Sequence, residues 1–262
     1  MQLAHRVALG GAQLDEIDPR IIIKGIEGGA GKETVTTTTT GAGDGTRITG
    51  KKRESVEVAV RFSMNIRRDD MPGRAAVLEA ICAWAVQGGW LTISYKPNRQ
   101  LWIDEIVTPG EGDLWKRFDE YTITFRAHAV PFWQQIQAAT GSTGTSAAGS
   151  GSLTAEGSAN TLAECILQNM SGATINSATI TIGGKTMTFE NLGLGDGQSL
   201  TIDHVITAGK NVIRNRIGNT SVMAKRTAGS ADEFEVAPGA VSFSFSASRA
   251  CRLTVICRGR YV

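Results

Sequence analysis

The stretch from Tyr121 to Ser152 constrains the fold of this chain more than any other. It opens on strict alternation, Tyr121-Thr122-Ile123-Thr124-Phe125-Arg126-Ala127-His128-Ala129. That is the period-two pattern of a strand with one face in a core. The strand stops at Val130-Pro131-Phe132-Trp133, and the run Ala138–Ser152 that follows holds only Ala, Thr, Gly and Ser. Segments of that composition behave as flexible coils. The sequence therefore predicts two β-rich domains, residues 1–137 and 153–262, joined by a flexible linker over 138–152. At 262 residues, 41% of them hydrophobic, each half has enough apolar side chains for its own core.

The first half predicts an α+β domain. Residues 21–26 read as a strand, followed by Gly28-Gly29-Ala30-Gly31, then Val35 with Thr36 to Thr40, then Gly41-Ala42-Gly43-Asp44-Gly45. Threonine favours strands and the Gly/Asp cluster marks turns, so a long polar hairpin or loop is expected there. Val56, Val58, Val60, Phe62, Met64 and Ile66 alternate with Glu57, Ala59, Arg61, Ser63 and Asn65, the strongest strand pattern in the chain. One helix follows. Asp69 or Asp70 caps it, Pro72 suits its first turn, Gly88-Gly89 ends it, and Val77, Leu78, Ile81, Trp84 and Ala85 form its apolar stripe. Trp90–Tyr95 and Leu101–Val107 read as a hairpin around Pro97-Asn98-Arg99, and Tyr121–Ala129 closes a mostly antiparallel sheet.

The second half reads as all-β. Strand-like runs lie at 165–169, 178–182, 186–189, 199–202, 211–214, 221–225, 241–246 and 252–257. Turn signals such as Gly183-Gly184, Gly195-Asp196-Gly197 and Pro238-Gly239 separate them. Many short strands at near-regular spacing predict a β-sandwich.

Charge and cysteine usage narrow the function. Residues 1–137 carry 17 Lys/Arg against 17 Asp/Glu, and residues 138–262 carry 10 against 8, so the net +2 comes from the second half. This is not the basic footprint of a nucleic-acid binder. Cys82 falls in the helical stripe region and reads as a buried thiol; Cys251 and Cys257 share one strand, about 20 Å apart if it is extended. With Cys165, all four are expected to be reduced, as in a protein that folds in a cytoplasm. The start of the chain lacks the apolar core of a signal peptide, and no run approaches the ~18 apolar residues of a membrane helix.

The sequence offers no catalytic or cofactor site. His5, His128 and His204 are scattered and read as surface or edge histidines. Gly31-Lys32 superficially resembles a phosphate loop, but Ile26 stands where its first glycine is needed and Glu33 where Ser or Thr is needed. Asp104 and Glu105 are neighbours on a strand and point to opposite faces, so they form no dyad. No cofactor and no metal are expected.

The order of these elements resembles the siphophage distal tail protein family (Dit, a phage tail component family). The alternating strand Val56–Ile66, the helix Pro72–Gln87, the aromatic hairpin Trp90–Val107 and the strand ending in Pro131-Phe132-Trp133 carry the likeness in the first half. Leu200-Thr201-Ile202-Asp203, Val236-Ala237-Pro238-Gly239-Ala240 and the ending Arg258-Gly259-Arg260-Tyr261-Val262 carry it in the second. The resemblance implies a tail-tube-like first domain and a galectin-like C-terminal β-sandwich. It implies a structural virion protein and not an enzyme, assembled in the host bacterial cytoplasm. Such a protein forms a hexameric ring, a hub joining the tail tube protein to the tail tip or baseplate. Its lumen lets viral DNA pass without specific binding, and no membrane is involved. The Thr-rich segment around 33–53 is the candidate for reaching a neighbouring copy, with Thr36, Thr38, Thr40, Arg47, Lys51 and Arg53 as its interface residues. A solvated surface loop would carry the same composition. A carbohydrate-binding sandwich in host attachment is the alternative function, although the second half has few aromatic residues to stack on sugars.

Overall fold

The computed structural model describes residues 5–39, 46–110, 112, 120–207 and 210–262, and for residues 32–33, 38–39 and 46–52 the backbone alone. The chain forms two compact units, Met1–Trp133 with Val262, and Gln134–Tyr261.

The first unit begins with β1 (Val7–Leu9), β2 (Ala12–Gln13) and the one-turn α1 (Leu14–Ile17). Two 19-residue strands follow, β3 (Ile21–Thr39) and β4 (Thr46–Met64). Then come α2 (Met71–Val86), β5 (Gly89–Ile93), β6 (Arg99–Ile103), β7 (Glu105–Val107) and β8 (Tyr121–Ala127). One sheet has the order β3-β4-β8-β7, every neighbour antiparallel. A second pairs β2, β1, β5 and β6 in that order.

The core lies where the alternation places it. Val56, Val58, Val60, Phe62 and Met64 of β4 and Tyr121, Ile123, Phe125 and Ala127 of β8 are buried. Ile66 lies beyond the end of its strand. The helix presents Val77, Leu78, Ile81, Trp84 and Ala85, the stripe read from the sequence. Trp84 meets Phe125 edge-on at 6.0 Å and donates its indole N–H to the Ala12 carbonyl at 3.0 Å. Asp70 caps the helix by accepting the Gly73 N–H at 2.9 Å, and Gly88 and Gly89, both at positive φ, end it. Full burial of each large apolar side chain contributes about 1.5–3 kcal/mol, so α2 is held by this face and not by its intrinsic helicity.

The expected strand 101–107 divides in two. Asp104 accepts the backbone N–H groups of His128 and Ala129 at 2.9 and 2.7 Å, which turns the chain. Residues before it pair with β5, and β7 after it pairs with β8. Cys82 is half-buried at the rim of a groove beside Val86 and Ile106, not sealed in the core.

From β9 (Trp133–Gln135) the chain enters the second unit. Its strands are β10 (Ala139–Ser142), β11 (Ser146–Ala155), β12 (Thr161–Asn169), β13 (Ala178–Ile182), β14 (Lys185–Phe189), β15 (Ser199–Thr207), β16 (Lys210–Ile217) and β17 (Thr220–Ser221), followed by β18 (Glu235–Val236), β19 (Gly239–Cys257) and β20 (Arg260–Tyr261). The main sheet runs β14-β13-β19-β12-β15-β16-β17. The two expected strands at 241–246 and 252–257 are halves of β19, whose first half pairs with β13 and second half with β12. Odd positions from Val241 to Phe245 and from Cys251 to Cys257 face one shared core. The expected strand 221–225 is instead the short β17 and a 3₁₀ turn, Met223–Lys225.

The expected linker is corrected most sharply. Residues 139–142 and 146–155 are strands, both antiparallel to β19, with Gly149 opposite Phe245 and Gly151 opposite Phe243. The reason is steric. A Cβ on Gly151 would stand 2.6 Å from the Phe243 ring, one on Gly141 2.8 Å from the same ring, and one on Gly149 3.0 Å from the Phe245 ring. The glycines are the floor on which two buried phenyl rings rest, and a composition that reads as flexibility is here complementarity.

All four cysteines are free, and burial raises the Cys251 and Cys257 thiols to about 11. No helix among the described residues is long and apolar enough to cross a membrane.

Candidate functional site

The site predicted from sequence is the distal part of the β3–β4 hairpin. β-Branched threonines and Val35 on β3 pair with β4 in a continuous antiparallel ribbon up to Thr39 opposite Thr46. β8 joins β4 only over Val56–Phe62, so beyond Val56 the ribbon is two-stranded among the described residues. The pairing puts Thr38 opposite Arg47 and Thr36 opposite Gly50, and Lys51 opposite Val35 and Arg53 opposite Glu33. Thr40 lies outside the described residues. The structure therefore brings five of the six predicted residues onto one ribbon.

The side chain of Arg53 is half-buried. Its guanidinium lies 5.0 Å from the centroid of the Phe132 ring, a cation–π contact at the root of the ribbon. Its side chain has a partner within its own unit.

Glycines and a buried tryptophan fix where the ribbon leaves the sheet. Gly28 has φ +83°, and a Cβ there would lie 2.4 Å from the Glu57 carbonyl oxygen. Gly29, at the same positive φ, offers its carbonyl to the indole N–H of fully buried Trp133 at 2.7 Å. Lys96 lies 4.6 Å over the Trp133 ring. Desolvation holds the Lys96 ammonium below the ordinary lysine range, with Arg99 adding to it. Pairing shifts between Gly28 and Glu33 mark the same place. The glycines could be read as a turn signal, but the contact with Trp133, 104 residues away, had no local trace.

The face of this sheet turned away from α2 carries matched charges. Arg61 bridges Glu27 at 2.7 Å and Glu120 at 2.8 Å, joining β3, β4 and the approach to β8. Arg126 bridges Glu57 at 2.9 Å and Glu105 at 3.0 Å, joining β4, β8 and β7. His128 reaches Glu105 at 2.7 Å, and that hydrogen bond, followed by Arg126, keeps the Glu105 carboxyl below its usual range. Exposed pairs of this kind add little to stability, yet together they leave both arginines on this face occupied by carboxylates. His128 is thus the satisfied surface histidine expected. His204 is not: its side chain is 8% exposed, and neither ring nitrogen has a hydrogen-bond partner among the described residues.

Of the second unit's aromatic residues Phe189, Phe234, Phe243 and Phe245 are buried, which leaves half-buried Tyr261, whose hydroxyl donates to Glu156 at 3.3 Å. Among the described residues no group of histidine, cysteine and carboxylate side chains is placed to hold a metal ion.

No protein-family profile matches the sequence, and no curated protein is similar to it. Solved structures do share the fold. The chain is similar to the Dit protein (gp 19.1) of phage SPP1, described as a paradigm of the hub adsorption apparatus in phages that infect Gram-positive bacteria. The TM-score is 0.68 at 14% identity, covering 98% of this chain and 99% of that one. It is also similar to a chain of the phage P2 baseplate in its Ca-activated conformation, with TM-score 0.51 at 5% identity, covering 99% and 100%. At such identities the likeness establishes a Dit-like, mainly β fold.

Proposed function

We propose that this chain is a structural protein of a bacteriophage tail, a distal hub that closes into a hexameric ring between the tail tube and the tail tip or baseplate. The observation that carries the reading is the end-to-end likeness to the Dit hub protein. In this reading the first unit builds the ring, and the ring's bore passes viral DNA.

The sheet β3-β4-β8-β7 supports a ring on physical grounds. It ends in two edges, β3 and β7, with no further partner in this sheet among the described residues. Open edges are a liability unless they are paired, covered or charged. The sheet has four strands and alternates throughout, so β3 and β7 run in opposite directions. Under cyclic symmetry every copy has the same orientation, so β7 of one copy beside β3 of the next is again antiparallel. The alternation continues without a break for any number of copies, which suits a closed head-to-tail ring. Six copies bring about 24 strands at ~4.8 Å spacing, a wall of roughly 115 Å circumference before tilt.

The role asks for no catalytic group, and the free thiols suit folding in a reducing host cytoplasm. Negative-stain images of the purified protein, with light scattering, test the proposal. Six-fold rings, alone or with tail partners, are the expected result. A monomer at high concentration that forms no ring with tail tube or tip protein would sink it.

A further inference from the structure

Both open edges of the β3-β4-β8-β7 sheet carry apolar side chains, and they carry them on matching faces. Pairing within the sheet fixes those faces. On β7, Ile106 lies opposite buried Phe125 and so on the side of α2, whereas Glu105 and Val107 lie opposite Arg126 and Thr124 on the charged side. On β3, Ile23 and Ile26 lie opposite buried Phe62 and Val60 on the side of α2, and Ile22 lies opposite Ser63 on the charged side. A bulge between Ile23 and Gly25 sets Lys24 with Gly25 against Arg61, again on the charged side.

Ile22 is 43% exposed and Val107 45%, while Ile23, Ile26 and Ile106 are half-buried. On the side of α2, β7 borders an open groove of about 340 Å³, walled by Cys82 and Val86 of the helix, Ile103 of β6 and Ile106. Val86 is 87% exposed. Singly exposed apolar residues are ordinary; here the information lies in their agreement in face at two edges.

One register satisfies both faces at once. Set antiparallel to β7, β3 of the next copy places Ile22 beside Val107 and Ile23 beside Ile106, and Lys24 then falls beside Glu105. A slip of one residue would turn Ile22 towards the groove and Ile23 towards the charges. Glu105 is already shared by Arg126 and His128, so Lys24 serves register more than affinity. We propose that the β7 edge and the groove beside Val86 receive Ile22, Ile23 and Ile26 of a second copy of this chain. The inference rests on the head-to-tail ring proposed above and gives it a register.

Paired cysteines in the full chain test it. Ile22 and Val107 stand on the first and fourth strands of the sheet, so within one copy they are about 14 Å apart at ~4.8 Å per strand. A disulfide spans no more than about 7 Å between Cα atoms, so a bond between cysteines at these positions joins two copies. Ile22→Cys combined with Val107→Cys should give, on oxidation, a ladder up to the hexamer on a non-reducing gel. Either single variant should remain monomer with at most a trace of dimer. Val86→Asp changes an exposed side chain, so it should melt as the parent does. It would bury an unpaired carboxylate between copies, and ring yield in negative stain should fall about tenfold or more. A ladder without rings would support the interface and refute closure. Rings of the parent with no ladder beyond the single variants would overturn the interface and leave the ring standing, with the groove open to a different protein. Undiminished rings of Val86→Asp would do the same. Neither ladder nor rings would sink both.

Discussion

Gly151 and His204 carry information that their residue types alone conceal. Gly151→Val places a branched side chain where the Phe243 ring already lies, since even a Cβ would approach to 2.6 Å. Overpacking of this kind costs about 1–3 kcal/mol. Gly144, whose Cβ would meet nothing within 4 Å, is the control. Thermal unfolding should therefore show a drop for Gly151→Val and little change for Gly144→Ala, whereas a coil over 138–152 would tolerate both alike. His204 gives a pH prediction. Desolvation, aided by Arg260, lowers its pKa to about 4 from the ordinary imidazole value of 6.5. The unfolded chain takes up the proton first, so the stabilising effect is intact above pH 6.5 and lost as pH falls towards 4. The full difference is roughly 3 kcal/mol. Glu164, whose carboxyl accepts the His204 backbone N–H, is raised by burial and acts in the opposite sense, losing stability as pH rises. Stability of the parent minus that of His204→Leu, measured by denaturant between pH 7 and 4, isolates the histidine; a pH-independent difference would refute its burial as a neutral ring.

The β3–β4 ribbon is the element proposed to reach a neighbouring copy. Beyond Val56 it has no third strand among the described residues, and Thr34 to Thr37 are exposed. Thr34 pairs with Lys52, so replacing residues 35–51 by Asn-Gly closes the hairpin with a favoured two-residue turn. The shortened protein should melt within a few degrees of the parent and lose most of its ring formation in negative stain. Rings in undiminished yield would remove the ribbon from the interface. Strand β4 and helix α2 were legible because one-sided burial writes a period into the sequence. The buried Arg74 on α2, which reaches Tyr121 on β8, was not, because a basic residue near a helix start looks like a solvated one.

At the scale of the whole molecule, the matched charges on the β3-β4-β8-β7 sheet bear on the proposed passage of DNA through a ring. Arginines held by Glu27, Glu57, Glu105 and Glu120 have little left for phosphates. Assembled protein should retain duplex DNA weakly, with a shallow salt dependence. The double change Glu57→Gln, Glu105→Gln releases Arg126; salt-sensitive retention by these rings is expected, and DNA binding equal to the parent would mean that this face does not line the bore. Alternation and spacing by themselves determined the strands, the helix and its core face, and the all-β character of the second half, because each is set by neighbours within a few residues. Only tertiary structure decided that the small-residue run is sheet, that Asp104 splits a strand between two sheets, and that Trp133 holds the root of the ribbon. A glycine is small and permissive in every context. Whether it gives slack or accommodates a ring depends on a partner about a hundred residues away, which no local pattern records.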